Sequence, residues 1–299
     1  MLLTRTCILS VALALLLPIG KASAQSEPIE DPIPATIRKG DLVVGVEEFI
    51  RVPRTADSSE GGKTTPAYAR IQYLVPLRDG SGRLALNDLR GPLYLTDDSG
   101  RIPTLFLDLR DQDVGFDDSM FPNETGLVSV AFHPQFGREG TAGFGKFYTA
   151  FSAGSDTGVA DYLDGDANSH ESVIREWTVL NPSADVFSGT SREVFRIGQF
   201  APNHNIGTIA FNPHAEAGSP DYGMLYVCLG DGGAAHDPRD YGQSLAVPQA
   251  AIIRIDPLGG DSTSRYGIPP DNPFVSSPGV APEIWSYGLR HPQHFSWDT

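Results

Sequence analysis

His204 and Asn205 stand immediately before an apolar run, Ile209 to Phe211, and Gly230-Asp231-Gly232-Gly233 stands immediately after a second run, Met224 to Leu229. Further along, Arg290 and His291 precede another short run that starts at Phe295. A neutral imidazole can take a proton near physiological pH. A guanidinium can hold an anion and stabilise charge growing on oxygen. A glycine-rich turn lets backbone approach a flat ligand closely. Each feature also has an ordinary reading: a loop histidine bonded to its neighbour, a loop arginine paired with a carboxylate, a turn closing a strand.

These residues need elements that bring them together. Short apolar runs punctuated by Pro and Gly recur along the chain, and long helical patterns are missing. This favours an all-β protein of many short strands. Val130-Ala131-Phe132-His133-Pro134 resembles Ile209-Ala210-Phe211-Asn212-Pro213, and both resemble Phe295-Ser296-Trp297-Asp298-Thr299, which predicts a strand in each place. A second pattern follows the first two: Phe147-Tyr148-Thr149 and Leu225-Tyr226-Val227, with Leu93-Tyr94-Leu95 as an earlier copy. Phe132 to Phe211 is 79 positions and Phe211 to Trp297 is 86. Hairpins repeating at that spacing predict a β-propeller, with a β-sandwich as the alternative. In a blade, the loop before the first strand and the loop after the second lie on one face. Glu124, His204, Asp231, Arg290 and His291 are therefore expected to converge, on loops held by a rigid scaffold.

Several stretches, in order, resemble the PQQ-dependent sugar dehydrogenases of the glucose/sorbosone dehydrogenase family. They are "GLVSVAFHPQF", "HNIGTIAFNP", "LYVCLGDGG", "IIRIDPLGG", "YGIPPDNPF" and "APEIWSYGLRHPQ", within roughly residues 90–299. The resemblance implies a six-bladed propeller, of which this chain holds about three to four blades. It implies PQQ (pyrroloquinoline quinone) and calcium as cofactors, an aldose as the small-molecule substrate and an external electron acceptor. His204 is then the catalytic base at the sugar C1 hydroxyl, and Arg290 the catalytic and cofactor-binding cation. Gly230, Asp231, Gly232 and His291 would meet the cofactor, and Glu124, Asn203 and Asn205 the sugar. His291 departs from the family, which has Arg-Asn-Pro where this chain has Arg290-His291-Pro292. The calcium ligands are partly backbone carbonyls and stay unassigned. The chain's end at Thr299, where a strand begins, reads as a C-terminal truncation, so that the chain alone is expected to be inactive. A non-catalytic interaction propeller and a calcium-dependent hydrolase of the lactonase kind are the alternatives.

Residues 1–24 read as a secretory signal peptide, with Arg5 before an apolar stretch and Ala22-Ser23-Ala24 as the cleavage site. Residues 25–40 read as a mature N-terminal tail and 41–299 as a partial propeller domain. Loss of the signal moves the formal charge from −15 to −17 and leaves Cys228 as the sole cysteine. So acidic a chain is a poor ligand for nucleic acid, and no disulfide can form within it. No later segment is long and apolar enough to span a membrane. A secreted or periplasmic protein is expected, and export without disulfides suits a bacterial envelope enzyme. Ala56–Pro66 and Gly154–Ser169 read as surface loops. The run from Asp164 opens like an EF-hand loop but lacks its sixth-place glycine and twelfth-place glutamate. Asn123-Glu124-Thr125 matches an N-glycosylation pattern.

Overall fold

In a computed structural model the described residues form twelve strands, grouped in chain order as three four-stranded antiparallel meanders. Residues 40, 45–55, 68–119, 124–163 and 168–298 are described. The signal peptide, nearly all of the N-terminal tail, the Ala56–Pro66 loop, Asn123 and the start of the Asp164 run lie outside them. The first sheet is β1 (Ile71–Pro76), β2 (Arg83–Asp88), β3 (Pro92–Asp97) and β4 (Thr104–Asp108). The second is β5 (Leu127–Phe132), β6 (Lys146–Ala153), β7 (His170–Val179) and β8 (Gly189–Gln199). The third is β9 (Ile206–Phe211), β10 (Leu225–Leu229), β11 (Ala251–Ile255) and β12 (Ile284–Tyr287). Two single 3-10 turns, Leu109–Asp111 and Tyr241–Gln243, are the only helical elements among the described residues.

The sheets pack face to face as propeller blades. The first strand of each sits innermost: β5 lies against both β1 and β9. A hydrogen bond between the Tyr73 hydroxyl of β1 and Thr208 Oγ1 of β9 joins the outer two sheets there. The second sheet is covered on both sides, and its alternation divides its residues between two cores. Leu127, Phe132, Phe147, Phe151, Val173 and Trp177 face the first sheet. Val128, Ala131, Tyr148, Ala150 and Ile174 face the third. This explains why β5 and β6 read as continuous apolar runs rather than half-polar strands. β1, covered less completely, keeps Ile71 and Leu74 exposed.

Two sequence expectations are corrected. Leu93-Tyr94-Leu95 is not the second strand of its sheet but the third, β3. The second, β2, carries Leu84-Ala85-Leu86, and both strands are buried, so composition alone does not rank them. Phe295–Asp298 forms no strand. Nothing pairs with it in a ladder, and Phe295 and Trp297 instead pack on the Tyr226 ring at centroid distances of 6.4 and 5.3 Å.

Buried polar groups brace the blades. Trp177 donates its indole N–H to Thr149 Oγ1 at 2.9 Å and stacks on Phe147. Glu176, almost wholly buried, accepts from Lys146, Tyr148 and Arg192. Burial alone would raise its carboxyl pKa, but these donors together hold it below the usual range. His133, at the end of β5, is 3 % exposed, and burial pushes its pKa down to about 4.

Two outcomes are expected. Trp177→Ala should cost about 3–5 kcal/mol, read as a lower urea midpoint at constant slope. A cost under about 1 kcal/mol would mean that the core between the first two sheets does not depend on this ring. His133 stays neutral in the fold while an unfolded histidine protonates near pH 6.5, so the unfolded state binds the extra proton. Its contribution is complete above that pH and is lost as pH falls toward 4, on the order of 3 kcal/mol in all. His133→Gln should flatten that part of the stability–pH curve; a curve identical to the parent's would rule the residue out.

Candidate active site

The loops before β5 and β9, the turn after β10 and the segment after β12 meet at one end of the inner strands. The turn after β10 is fastened first. Gly230 N–H donates to Asn205 O at 3.0 Å and Gly232 N–H to His204 O at 3.1 Å. A Cβ on Gly230 would stand 2.2 Å from the His204 carbonyl oxygen, so only glycine permits this approach. Gly232, at φ +80°, and Gly233, at φ +97°, need their left-handed backbone, and their open sides are filled by Phe200 and Asn203. The glycines thus close on the protein's own loop, with His204, Phe200 and Asn203 standing where side chains would otherwise be.

His204 sits at φ +54°, an uncommon conformation for a residue with a Cβ. Its backbone N–H donates to Glu124 Oε2 at 2.5 Å. Its Nδ1–H donates to Asp231 Oδ1 at 2.7 Å, which leaves Nε2 as the lone-pair nitrogen. Arg290 Nη1 donates to that Nε2 at 3.1 Å. Arg290 also reaches Ala234 O at 3.3 Å and keeps its Nε 3.9 Å from Asp231 Oδ2, with 58 % of its side chain exposed. The His291 ring stacks on His204 at 4.5 Å and 19°. Its Nε2 lies 3.3 Å from Glu124 Oε2 without hydrogen-bond alignment. Burial would raise the Glu124 carboxyl, but His291 and the His204 N–H outweigh it and hold the pKa below its ordinary value.

The structure therefore brings together Glu124, His204, Asp231, Arg290 and His291, as their loop positions require. Asn203 is half-buried at the rim, its Oδ1 against Gly233. Asn205 points the other way. It is 1 % exposed, accepts from His170 Nε2 at 2.7 Å and donates to Ala201 O at 3.0 Å. Both ends of its amide are spent inside the protein, so the expected contact with sugar is not available to it. Sequence reading misses His170, the buried partner that anchors this loop; it lies in a strand of another sheet, 35 residues from Asn205, and no local pattern marks it. Asp231 is expected from the resemblance to meet the cofactor, whereas its carboxylate is buried on the protein side of His204. Among the described residues no three His, Cys, Asp or Glu side chains gather as a metal would need, and no calcium ligand is assigned.

Comparison with known proteins shows the family of the chain. Residues 81–299 match the Glucose / Sorbosone dehydrogenase family. The chain belongs to that family. HIPL1 protein of Arabidopsis thaliana is 29 % identical over 290 residues, covering 82 % of this chain and 39 % of the relative. Hedgehog-interacting protein of Mus musculus is 27 % identical over 57 % of this chain and 22 % of its own. Aldose sugar dehydrogenase YliI of Escherichia coli is 37 % identical over 24 % of this chain and 16 % of its own. A solved structure of a putative oxidoreductase (glucose dehydrogenase) from Thermus thermophilus superposes with a TM-score of 0.51 at 22 % identity, covering 75 % of this chain and 52 % of that one, which establishes the shared fold. The chain spans about two fifths of the length of HIPL1 protein. No helix among the described residues is long and apolar enough to cross a membrane.

The Gly230 contact generates a test. Gly230→Ala should force the His204 carbonyl back and cost about 1–3 kcal/mol of stability by denaturant melt. Unchanged stability would show that the β9 and β10 ends part freely.

Proposed function

We propose that the site belongs to an exported, PQQ-dependent aldose dehydrogenase, with His204 as its general base. The observation that carries this reading is the orientation of His204: Asp231 holds Nδ1–H, so the basic Nε2 faces the loop rim beside Arg290. A neutral imidazole in that state takes the proton of the sugar C1 hydroxyl at Nε2. The C1 hydrogen leaves with its electron pair, the C1–O bond becomes a carbonyl, and the product is a lactone. PQQ, when bound, supplies the two-electron acceptor for that hydride.

The residues fit the anionic cofactor in part. Arg290 keeps an exposed guanidinium edge, and both ring nitrogens of His291 lack a hydrogen bond. These two would hold its oxygens. Gly230, Asp231 and Gly232 instead act on His204. At the rim, Asn203 and Glu124 would meet sugar hydroxyls. While Arg290 donates to Nε2 the base is occupied, so substrate entry must draw the half-exposed arginine away.

That same hydrogen bond favours a second reading, an interaction propeller whose histidine is permanently capped, in keeping with the name of Hedgehog-interacting protein. The native protein, given PQQ and calcium, should reduce a redox dye with aldoses. His204→Ala should lower turnover about a hundredfold or more while the fold persists by circular dichroism. A protein that neither perturbs PQQ absorbance nor oxidises aldoses would leave the interaction reading, and full turnover in His204→Ala would remove the histidine from the chemistry.

A further inference from the structure

Arg290 and His291, the two residues that would hold the cofactor oxygens, lie on a short segment held at both ends. At the front, Arg290 O accepts the Asp231 N–H at 2.9 Å. At the back, Gln293 O accepts the backbone N–H of Thr208 at 3.0 Å and its hydroxyl at 2.9 Å. Gly207 makes room for this contact: a Cβ there would stand 2.7 Å from Gln293 O and 3.0 Å from Pro292 O. Between the two ends, Gln293 N–H donates to His291 O at 2.8 Å, and Pro292 confines the His291 backbone to extended conformations. The backbone under Arg290 and His291 is therefore placed by what holds Arg290 O and Gln293 O.

The back end has a partner from elsewhere. Tyr73 lies on β1, and none of the site residues named above comes from its sheet. Its hydroxyl is hydrogen-bonded to Thr208 Oγ1 and, at 2.5 Å, to His294 Nδ1. Its ring lies 5.1 Å from the His294 ring. One oxygen thus touches both the strand that holds Gln293 and the residue next to Gln293. Thr208 is buried, and burial pushes the Tyr73 phenol pKa up to about 12, so the hydroxyl keeps its proton near neutral pH. A tyrosine serving only its own sheet would bond within that sheet; this one reaches past β5 to the far side of the inner strands.

We propose that Tyr73 is a positioning residue that, from the first sheet, holds the segment carrying Arg290 and His291 in place for the anionic cofactor. The cofactor half rests on the reading of these two residues as PQQ ligands, whereas the hold on the segment can be tested without PQQ. Tyr73→Phe removes the hydroxyl and keeps the ring. The Thr208 and Asp231 amides bond to the two ends of the segment and report on it. In the ligand-free native protein, hydrogen exchange followed by NMR should show both amides exchanging about tenfold faster in Tyr73→Phe, as loss of one hydrogen bond allows. Amides of the β6–β7 ladder should keep their rates. Thr208→Val, which keeps the backbone donor and loses the hydroxyl, should give the same change, and the double variant should add little to either, because the two groups act through one contact. Circular dichroism melts establish that each variant is folded, and either one alone suffices for the exchange test. In absorbance titrations PQQ should bind each variant about tenfold more weakly than the parent. Four results would overturn the proposal: an Asp231 amide that keeps its protection, additive effects in the double variant, protection lost evenly across all three sheets, or unchanged PQQ affinity in a variant whose amides have loosened. A parent that binds no PQQ, with an Asp231 amide that loosens as expected, would retain the hold on the segment and lose only the cofactor reading.

Discussion

Asp231 is the residue on which the site depends, because it joins three segments that the chain keeps far apart. Its backbone N–H donates to Arg290 O, its Oδ1 accepts from His204 Nδ1 and from Gly233 N–H, and its Oδ2 faces Arg290 Nε at 3.9 Å. The carboxylate is 1 % exposed. A buried charge is tolerated only when partners replace its lost hydration. Here the partners are the groups whose placement matters, so the desolvation cost of Asp231 is offset only when the histidine and the arginine are in position. The ordering of the site and the hydrogen bonding of Asp231 Oδ1 are one event.

The backbone makes that event possible. Asp231 reaches His204 because Gly230 lets β10 end against the carbonyl before β9. The two strands pair from Leu225↔Phe211 to Leu229↔Ile206 and carry a register shift between Val227 and Leu229, just short of the site. Such irregularities re-aim the chain where pairing stops. Behind them, His170 and Asn205 secure the loop from the second sheet. The site thus sits on the seam between the second and third sheets, and packing of the two blades fixes the distance between groups from each.

Much of this was legible from spacing. A period of about 80 residues located β5 and β9 and, through the antiparallel return of β10, put His204, Asp231, Glu124 and Arg290 on one face. What spacing could not give was the direction of individual side chains. Asn203 and Asn205 flank His204 symmetrically in sequence, yet one lies at the rim and the other is buried on His170. That difference is decided by a strand in another blade. The glycines were legible as close approaches but not as approaches to what: protein backbone satisfies the same steric need as a ligand. The third-strand position of Leu93–Leu95 was hidden because inner strands of a covered sheet share one composition.

The divided allegiance of the second sheet explains why a site built from loops can be held with ångström accuracy. The strands β5, β6 and β7 of that sheet send side chains into both cores, so a shift that relieves one interface strains the other. The loop carrying Glu124 enters this sheet at β5, and His170, which anchors Asn205, opens β7 in the same sheet. Two of the braces of His204 therefore originate in the element least free to move. The third, Arg290 with His291, comes from the segment after β12, which Asp231 binds through a single backbone bond. Rigidity is thus graded across the site. The base is set by the packed blades, and the cation beside it, half-exposed, is the part left able to respond to whatever enters.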